Sequence, residues 1–426
     1  MSIKVFTKND KAIIFDPVKM GLYYCSQKNC DSVKKYYKSE SNINNIIPRG
    51  SDTDDVNLLT INLTNKCNMK CVYCYEKEWG NENIHIDNMT LKDRIFNILT
   101  NFRNIKAIKY FGGEPLLYFH TIKYLTEEIK KYDNNYQFSI ITNGTLLNRE
   151  AIDYIIKNNI NVTISLDGPA DIHNKLRRYL NNKNTFEDII KNIYIGNKNY
   201  KLNYKIECTF TTKHLDCGYS YSDVIKYLSK YTEYPIILNN VINNQCLKLG
   251  TDIILDNMKS AIDVFFVNLM KDNVKCSDYY IIPLKAIKMV VRKLSSSHYC
   301  AANRNQITLM PDGYLYPCYM FYNIDKMKIA NALDEDVAKK YYEFIYKNYL
   351  KDKKNDNECT NCWVYPFCSF CLGSKYINAD VEKDKQSCEI NKTVYEYIFW
   401  KWGSMINEIE NNGIVRTNLK MLNIIK

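Results

Sequence analysis

From residue 56 onward, short β-branched runs in which apolar and polar positions alternate give way repeatedly to stretches with a helical period. Six runs read as strands: "VNLLTINLT", "AIKYF", "FSIIT", "NVTISLD", "YKIECTFTT" and "YPIILNNVI". Between most of them lie about 10 to 15 residues of helical pattern, as in "TLKDRIFNILTNF" and "REAIDYIIKNN". Such alternation builds βαβ units with a parallel sheet, and six units suit a partial (β/α)6 barrel of the α/β class. The stretches "CNMKC", "GGEP", "TNG" and "SLDGP" stand at or just past strand C-terminal ends, where barrel sites are built. Residues 56–245 form this core. Residues 1–55 hold three short β-like stretches, "IKVFT", "AIIFD" and "GLYYC", and then a polar Asn- and Ser-rich linker. Residues 246–298 read as a helical connection. Residues 299–426 form a second domain of loops rich in Cys, Gly and aromatics, closed by a helical tail around "VYEYIFWKW".

The chain has 426 residues, 46% of them hydrophobic and 25% charged, enough to bury a sizeable core. The start "MSIKVFTKNDKAII" has no apolar h-region, and no run of about 18 apolar residues occurs, so a cytoplasmic protein without a membrane span is expected. That changes the meaning of its 16 cysteines: where thiols stay reduced, metal binding or catalysis is a better reading than a disulfide framework. The net charge of +11 is scattered, and short clusters such as "KDKK" at 351–354 read as solvated, so nucleic acid is not expected as a partner.

Cys67, Cys71 and Cys74 lie together on the loop after the first barrel strand. A structural zinc site needs four protein ligands, and the next residues offer no fourth Cys or His. Three thiolates with one open position suit a reactive centre, such as a [4Fe–4S] cube with one iron left for a substrate or cofactor. A zinc loop is the plainer alternative.

The spacing CxxxCxxC, with aromatic Tyr73 before the last Cys, resembles the radical S-adenosylmethionine (SAM) superfamily, as do "GGEP" at 112–115, "SLDGP" and "IHNKLRR". The resemblance implies that the methionyl amino and carboxylate groups of SAM chelate the open iron. Gly112 and Gly113 would permit close backbone approach, Glu114 would accept the ammonium, and Ser165 and Arg177 would meet ribose hydroxyl and carboxylate, with Tyr73 and Asn143 completing the cofactor contacts. Pro115 shapes the turn, and a solvated surface arginine beside Arg178 is the plainer alternative for Arg177.

Cys300, Cys318, Cys359, Cys362, Cys368, Cys371 and Cys388, with Gly313, resemble the SPASM extension of peptide-modifying radical SAM enzymes. This implies two auxiliary [4Fe–4S] clusters, three in all: an outer one on Cys359, Cys362, Cys368 and Cys388, and an inner one on Cys300, Cys318 and Cys371. Sulfatase-maturing relatives carry another cysteine soon after the first SPASM Cys; none stands between Cys300 and Cys318 here, so the inner cluster is expected to have an open iron. Cys246 or Cys276 folding back is the alternative, while Cys25, Cys30, Cys208 and Cys217 read as structural thiols. The N-terminal module resembles the start of the leader-binding element of peptide maturases; an edge hairpin packed on the barrel is the competing expectation.

Together these resemblances imply a maturase for a ribosomally made, Cys-rich precursor peptide with a leader, forming thioether crosslinks and fed electrons by a flavodoxin or ferredoxin. Formylglycine generation or C–C crosslinking is the runner-up, with Asp167 as base in the former and as a turn acceptor otherwise. A zinc- or cluster-binding regulator is the alternative from another class.

Overall fold

The computed structural model describes residues 3–32, 35, 55–76, 87–200, 202–241, 244, 246–303, 305–322, 324–347, 353, 356–373 and 385–425. The six runs become strands β4 (Leu58–Asn62), β5 (Ala107–Phe111), β6 (Gln137–Thr142), β7 (Asn161–Ser165), β8 (Tyr204–Phe210) and β9 (Ile237–Asn240), each parallel to the next in chain order. Helices α1 (Asn88–Asn101), α2 (Phe119–Tyr132), α3 (Arg149–Lys157), α4 (Ala170–Leu176), α5 (Phe186–Tyr200), α6 (Thr212–Asp216) and α7 (Tyr221–Leu228) return the chain between them. Local capping marks where two of these start: Asp87 accepts from Thr90 N at 2.9 Å, and Asn148 accepts from Ala151 N at 2.9 Å. Period two also sorts the strand faces. Tyr110 turns toward α2, where its hydroxyl meets Thr126 Oγ1 at 2.9 Å, so its neighbour Lys109 lies on the opposite, interior face.

The sheet does not stop at six strands. β10 (Gln306–Leu309) pairs in parallel with β4, and β11 (Tyr314–Tyr316) and β12 (Ala330–Asn331) follow in antiparallel order, giving one nine-stranded sheet. Loops alone were expected in this segment. The edge of β4 would otherwise present unpaired backbone groups, and β10 covers it with four buried residues. Helices α8 (Thr251–Leu269) and α9 (Ile281–Val291) lie between β9 and β10, and α10 (Val337–Lys347), α11 (Asn357–Thr360) and α12 (Lys385–Ser404) follow in the C-terminal part.

The N-terminal stretches form a separate antiparallel sheet, β1 (Lys4–Lys8), β2 (Lys11–Asp16) and β3 (Gly21–Ser26). This is a three-stranded meander rather than a hairpin, and its face packs on the cysteine-rich part rather than on the barrel. Phe15 lies 4.8 Å from Phe399 and 5.5 Å from Phe367, and Phe6 lies 5.0 Å from Trp363, measured between ring centroids. Most of the expected Asn- and Ser-rich linker falls outside the described residues. Lys353 of "KDKK" is wholly buried, against the expectation of a solvated cluster. Among the described residues no helix is long and apolar enough to cross a membrane.

Candidate functional site

The loop after β4 carries Cys67, Cys71 and Cys74 and is strapped down on two sides. On one side Gly113 N donates to Thr64 O at 2.8 Å and Glu114 N to Lys66 O at 2.9 Å. On the other, Lys70 N donates to Arg178 O at 2.8 Å and Val72 N to Leu176 O at 2.9 Å. The glycines of "GGEP" answer to this packing. A Cβ on Gly112, whose φ is +137°, would meet Thr64 O at 2.4 Å, and one on Gly113 would meet Lys66 O at 2.3 Å. Their small size therefore serves the cysteine loop itself, whatever else approaches.

Glu114 is fully buried, and its carboxylate is already well used. Oε1 accepts from Leu116 N at 2.9 Å and Thr142 Oγ1 at 2.8 Å, and Oε2 accepts from Asn143 N at 2.7 Å. With about four lone-pair sites on a carboxylate, room for one further donor such as an ammonium remains. Burial pushes the carboxyl up to about 7, against the pull of Asn143, Leu116 and Thr142. Asn143 also reaches the cysteine loop, its Nδ2 donating to Asn68 Oδ1 at 2.9 Å and lying 3.8 Å from Cys67 Sγ.

Tyr73, Asp167 and Arg177 form one buried network. Tyr73 donates to Asp167 Oδ2 at 2.5 Å, and Arg177 donates from one terminal nitrogen to Tyr73 Oη at 2.8 Å and to Asp167 Oδ1 at 3.4 Å. Thr209 N donates to Asp167 Oδ1 at 3.0 Å. Two buried histidines hold the Asp167 backbone. Asp167 N donates to His173 Nδ1 at 3.2 Å, and His214 Nε2 donates to Asp167 O at 2.7 Å while its Nδ1 accepts from Thr211 N at 3.1 Å, so each ring has an accepting nitrogen and is neutral. Asp167 is thus a fixed brace between β7, β8 and the cysteine loop. Arg177 lies in the site, with Nε buried and unpartnered among the described residues, while Arg178 donates to Asn174 O at 2.6 Å. Ser165 sits half-buried at the end of β7, in register with Glu207 on β8.

Sequence reasoning passed over several groups here. Glu76, just past Cys74, has Oε2 buried without a partner among the described residues, and burial, then Glu114, push its carboxyl up to about 8. Lys109 faces the interior near Cys318 and Glu207, and Asn239 donates to Glu207 Oε1 at 2.7 Å. A charged residue between apolar neighbours in "AIKYF" was the available signal. Tyr319, next to Cys318, stacks on Phe111 and lies 5.9 Å from Tyr75.

Of the other thirteen cysteines, seven gather in two sets. Cys318 has Cys371 and Cys300 as charge neighbours, and the turn after Cys318 is pressed on the Cys371 loop so closely that a Cβ on Gly373 would meet Met320 Cβ at 2.3 Å. Cys359, Cys362, Cys368 and Cys388 line a cavity of about 450 Å³. Cys276 points elsewhere, its Sγ lying 3.8 Å from Met421 O. Cys246 is exposed on the loop after β9, whose Asn244 donates to Val72 O at 3.3 Å.

The donor sets suit iron–sulfur chemistry. Burial, with neighbouring thiols and carboxylates adding to it, pushes Cys67 up to about 12 and Cys74 up to about 11, so a cationic iron centre is what would draw the protons off them. Asn62 Nδ2 and Asn65 Oδ1 near the loop are buried and unpartnered among the described residues. Among those residues no group of three or more His, Cys, Asp and Glu closes on a single metal ion, so the fit rests on the donor chemistry and not on a formed coordination sphere.

Residues 61–210 match the radical SAM superfamily, and residues 300–363 match the SPASM iron–sulfur cluster-binding domain. The chain is 27% identical to a cysteine-type anaerobic sulfatase-maturating enzyme of Clostridium novyi, over 78% of this chain and 92% of that protein. It is 24% identical to the radical SAM cyclopropyl synthase TigE of Paramaledivibacter caminithermalis, over 87% of this chain and 78% of the relative. In fold it resembles anSMEcpe with bound AdoMet and Kp18Cys peptide, at a TM-score of 0.66 and 21% identity, over 83% of this chain and all of that one. The protein is a radical SAM enzyme carrying a SPASM domain, and these domains use [4Fe–4S] clusters and SAM.

Proposed function

We propose that this radical SAM/SPASM enzyme acts in the cytoplasm on a ribosomally made, cysteine-containing precursor peptide and closes thioether bonds within it, with a flavodoxin or ferredoxin as electron donor. When bound, SAM and a reduced cluster at Cys67, Cys71 and Cys74 supply the 5′-deoxyadenosyl radical that takes a hydrogen atom from a peptide carbon, and an auxiliary cluster can accept the electron released as the C–S bond forms. The protein's part is orientation. Gly112 and Gly113 seat the cysteine loop, Glu114 keeps one acceptor position for the methionyl ammonium, and the Tyr73–Asp167–Arg177 network holds the loop's far side. The supporting observation is the inner set, Cys300, Cys318 and Cys371, which lies beside interior Lys109 and is joined to the first loop by Tyr319. Three thiolates leave one iron for soft sulfur, and a substrate thiolate is that ligand.

Formylglycine generation is the second reading, favoured by the Clostridium novyi relative. One experiment separates the two. The reconstituted enzyme is incubated without oxygen with SAM, a reductant and the cysteine-containing peptide from a neighbouring reading frame, and the product is weighed and alkylated. Thioether formation removes two hydrogen atoms and one alkylatable thiol per crosslink. Exchange of cysteine sulfur for carbonyl oxygen would make it a formylglycine enzyme, and hydrogen loss with every thiol intact would make it a C–C crosslinker.

A further inference from the structure

We propose that Lys353 sets the reduction potential of an iron–sulfur cluster held by Cys359, Cys362, Cys368 and Cys388, raising it by placing a buried positive charge against the cluster. The inference rests on reading their common cavity as a cluster site. Lys353 is wholly buried, and its Nζ donates to Ser296 O at 2.9 Å, Tyr365 O at 2.9 Å and Cys368 O at 2.7 Å. It also lies 5.1 Å from the Tyr365 ring centroid and 5.8 Å from that of Tyr299. Those carbonyls and rings fix the ammonium in place, and the Tyr299 hydroxyl meets Cys359 Sγ at 2.9 Å on the same wall.

Five charged residues line the cavity: Lys353, Glu358, Lys385, Glu389 and Lys392. The other four are exposed, so water and salt screen them, while a wholly buried charge acts through a low dielectric. Reduction adds one electron, and so one negative charge, to a centre that four thiolates already make anionic. A fixed ammonium stabilises that reduced form more than the oxidised one, which raises the potential.

The test uses the full chain reconstituted without oxygen, with iron counted and each cluster titrated electrochemically under electron paramagnetic resonance. Lys353→Gln keeps amide donors for the carbonyls but removes the charge, and Lys353→Arg keeps the charge. Gln should shift the reduction equilibrium of one cluster at least tenfold toward the oxidised form, about 59 mV for a one-electron couple, and leave the other two in place. Arg should stay close to the parent. An unchanged potential in Gln, or the same iron loss in Gln and Arg, would make Lys353 a structural strut and overturn the proposal. Iron loss in Gln alone, with Arg intact, supports the charge. Cys362→Ala tests the cavity separately: if it costs no iron, the cluster assignment itself falls, and the proposal with it.

Discussion

Tyr319 stacks on Phe111, with ring centroids 4.3 Å apart and planes 25° from parallel. Phe111 ends the strand that leads into "GGEP", and Tyr319 follows Cys318 directly, so this one contact joins the "GGEP" loop to the set of Cys300, Cys318 and Cys371. Tyr75, one residue past Cys74, extends the stack at 5.9 Å. The two cysteine sets are therefore held together by aromatic rings as well as by the shared sheet.

Replacing Tyr319 with Leu keeps a buried apolar side chain but removes the stack, which should cost about 0.5–1.5 kcal/mol beyond burial. Faster amide hydrogen exchange is expected in two segments at once, 63–76 and 318–322. Acceleration confined to the second segment would show that the stack does not couple them.

Glu114→Gln should be destabilising even without SAM. One carboxylate oxygen becomes an NH₂ group, and either orientation of the amide sets it against a donor from Leu116, Thr142 or Asn143. Leaving such a buried donor unpaired costs about 1–3 kcal/mol. Urea unfolding of the unloaded protein should show that loss, and SAM affinity measured by calorimetry should fall as well. Normal stability with weakened SAM binding would assign Glu114 to the cofactor alone.

His173 gives a pH dependence with a defined sign. Burial holds its imidazole down to about 3, from an ordinary 6.5; Asp167 opposes this shift and Arg177 adds to it. The folded form thus favours neutral imidazole, and this stability is complete above pH 6.5. Below that, the unfolded chain takes up a proton that the folded one refuses, so this group subtracts about 1.4 kcal/mol per pH unit until pH approaches 3. His214, lowered by burial too, acts in the same direction. His173→Gln should reduce the slope of stability against pH between 6 and 4, as followed by thermal unfolding, whereas an unchanged slope would mean that the ring is protonated in the fold.

Six strands, their helices and the three-cysteine loop after β4 are legible in the chain itself. Each depends on residues close in sequence: period two marks a strand with one face buried, a helical period marks the stretches between strands, and the 67–71–74 spacing crowds three thiols within one loop. What lies between distant segments had no such signal. The pairing of β10 with β4, the reach of Thr142 and Asn143 to Glu114, the histidines that grip Asp167 and the burial of Lys353 all join residues that local pattern treats as independent. "KDKK" shows the difference plainly. Its composition is that of a solvated cluster, but the carbonyls of Ser296, Tyr365 and Cys368 come from two separate stretches of chain, and only their convergence in the folded protein gives a buried ammonium enough acceptors to remain there.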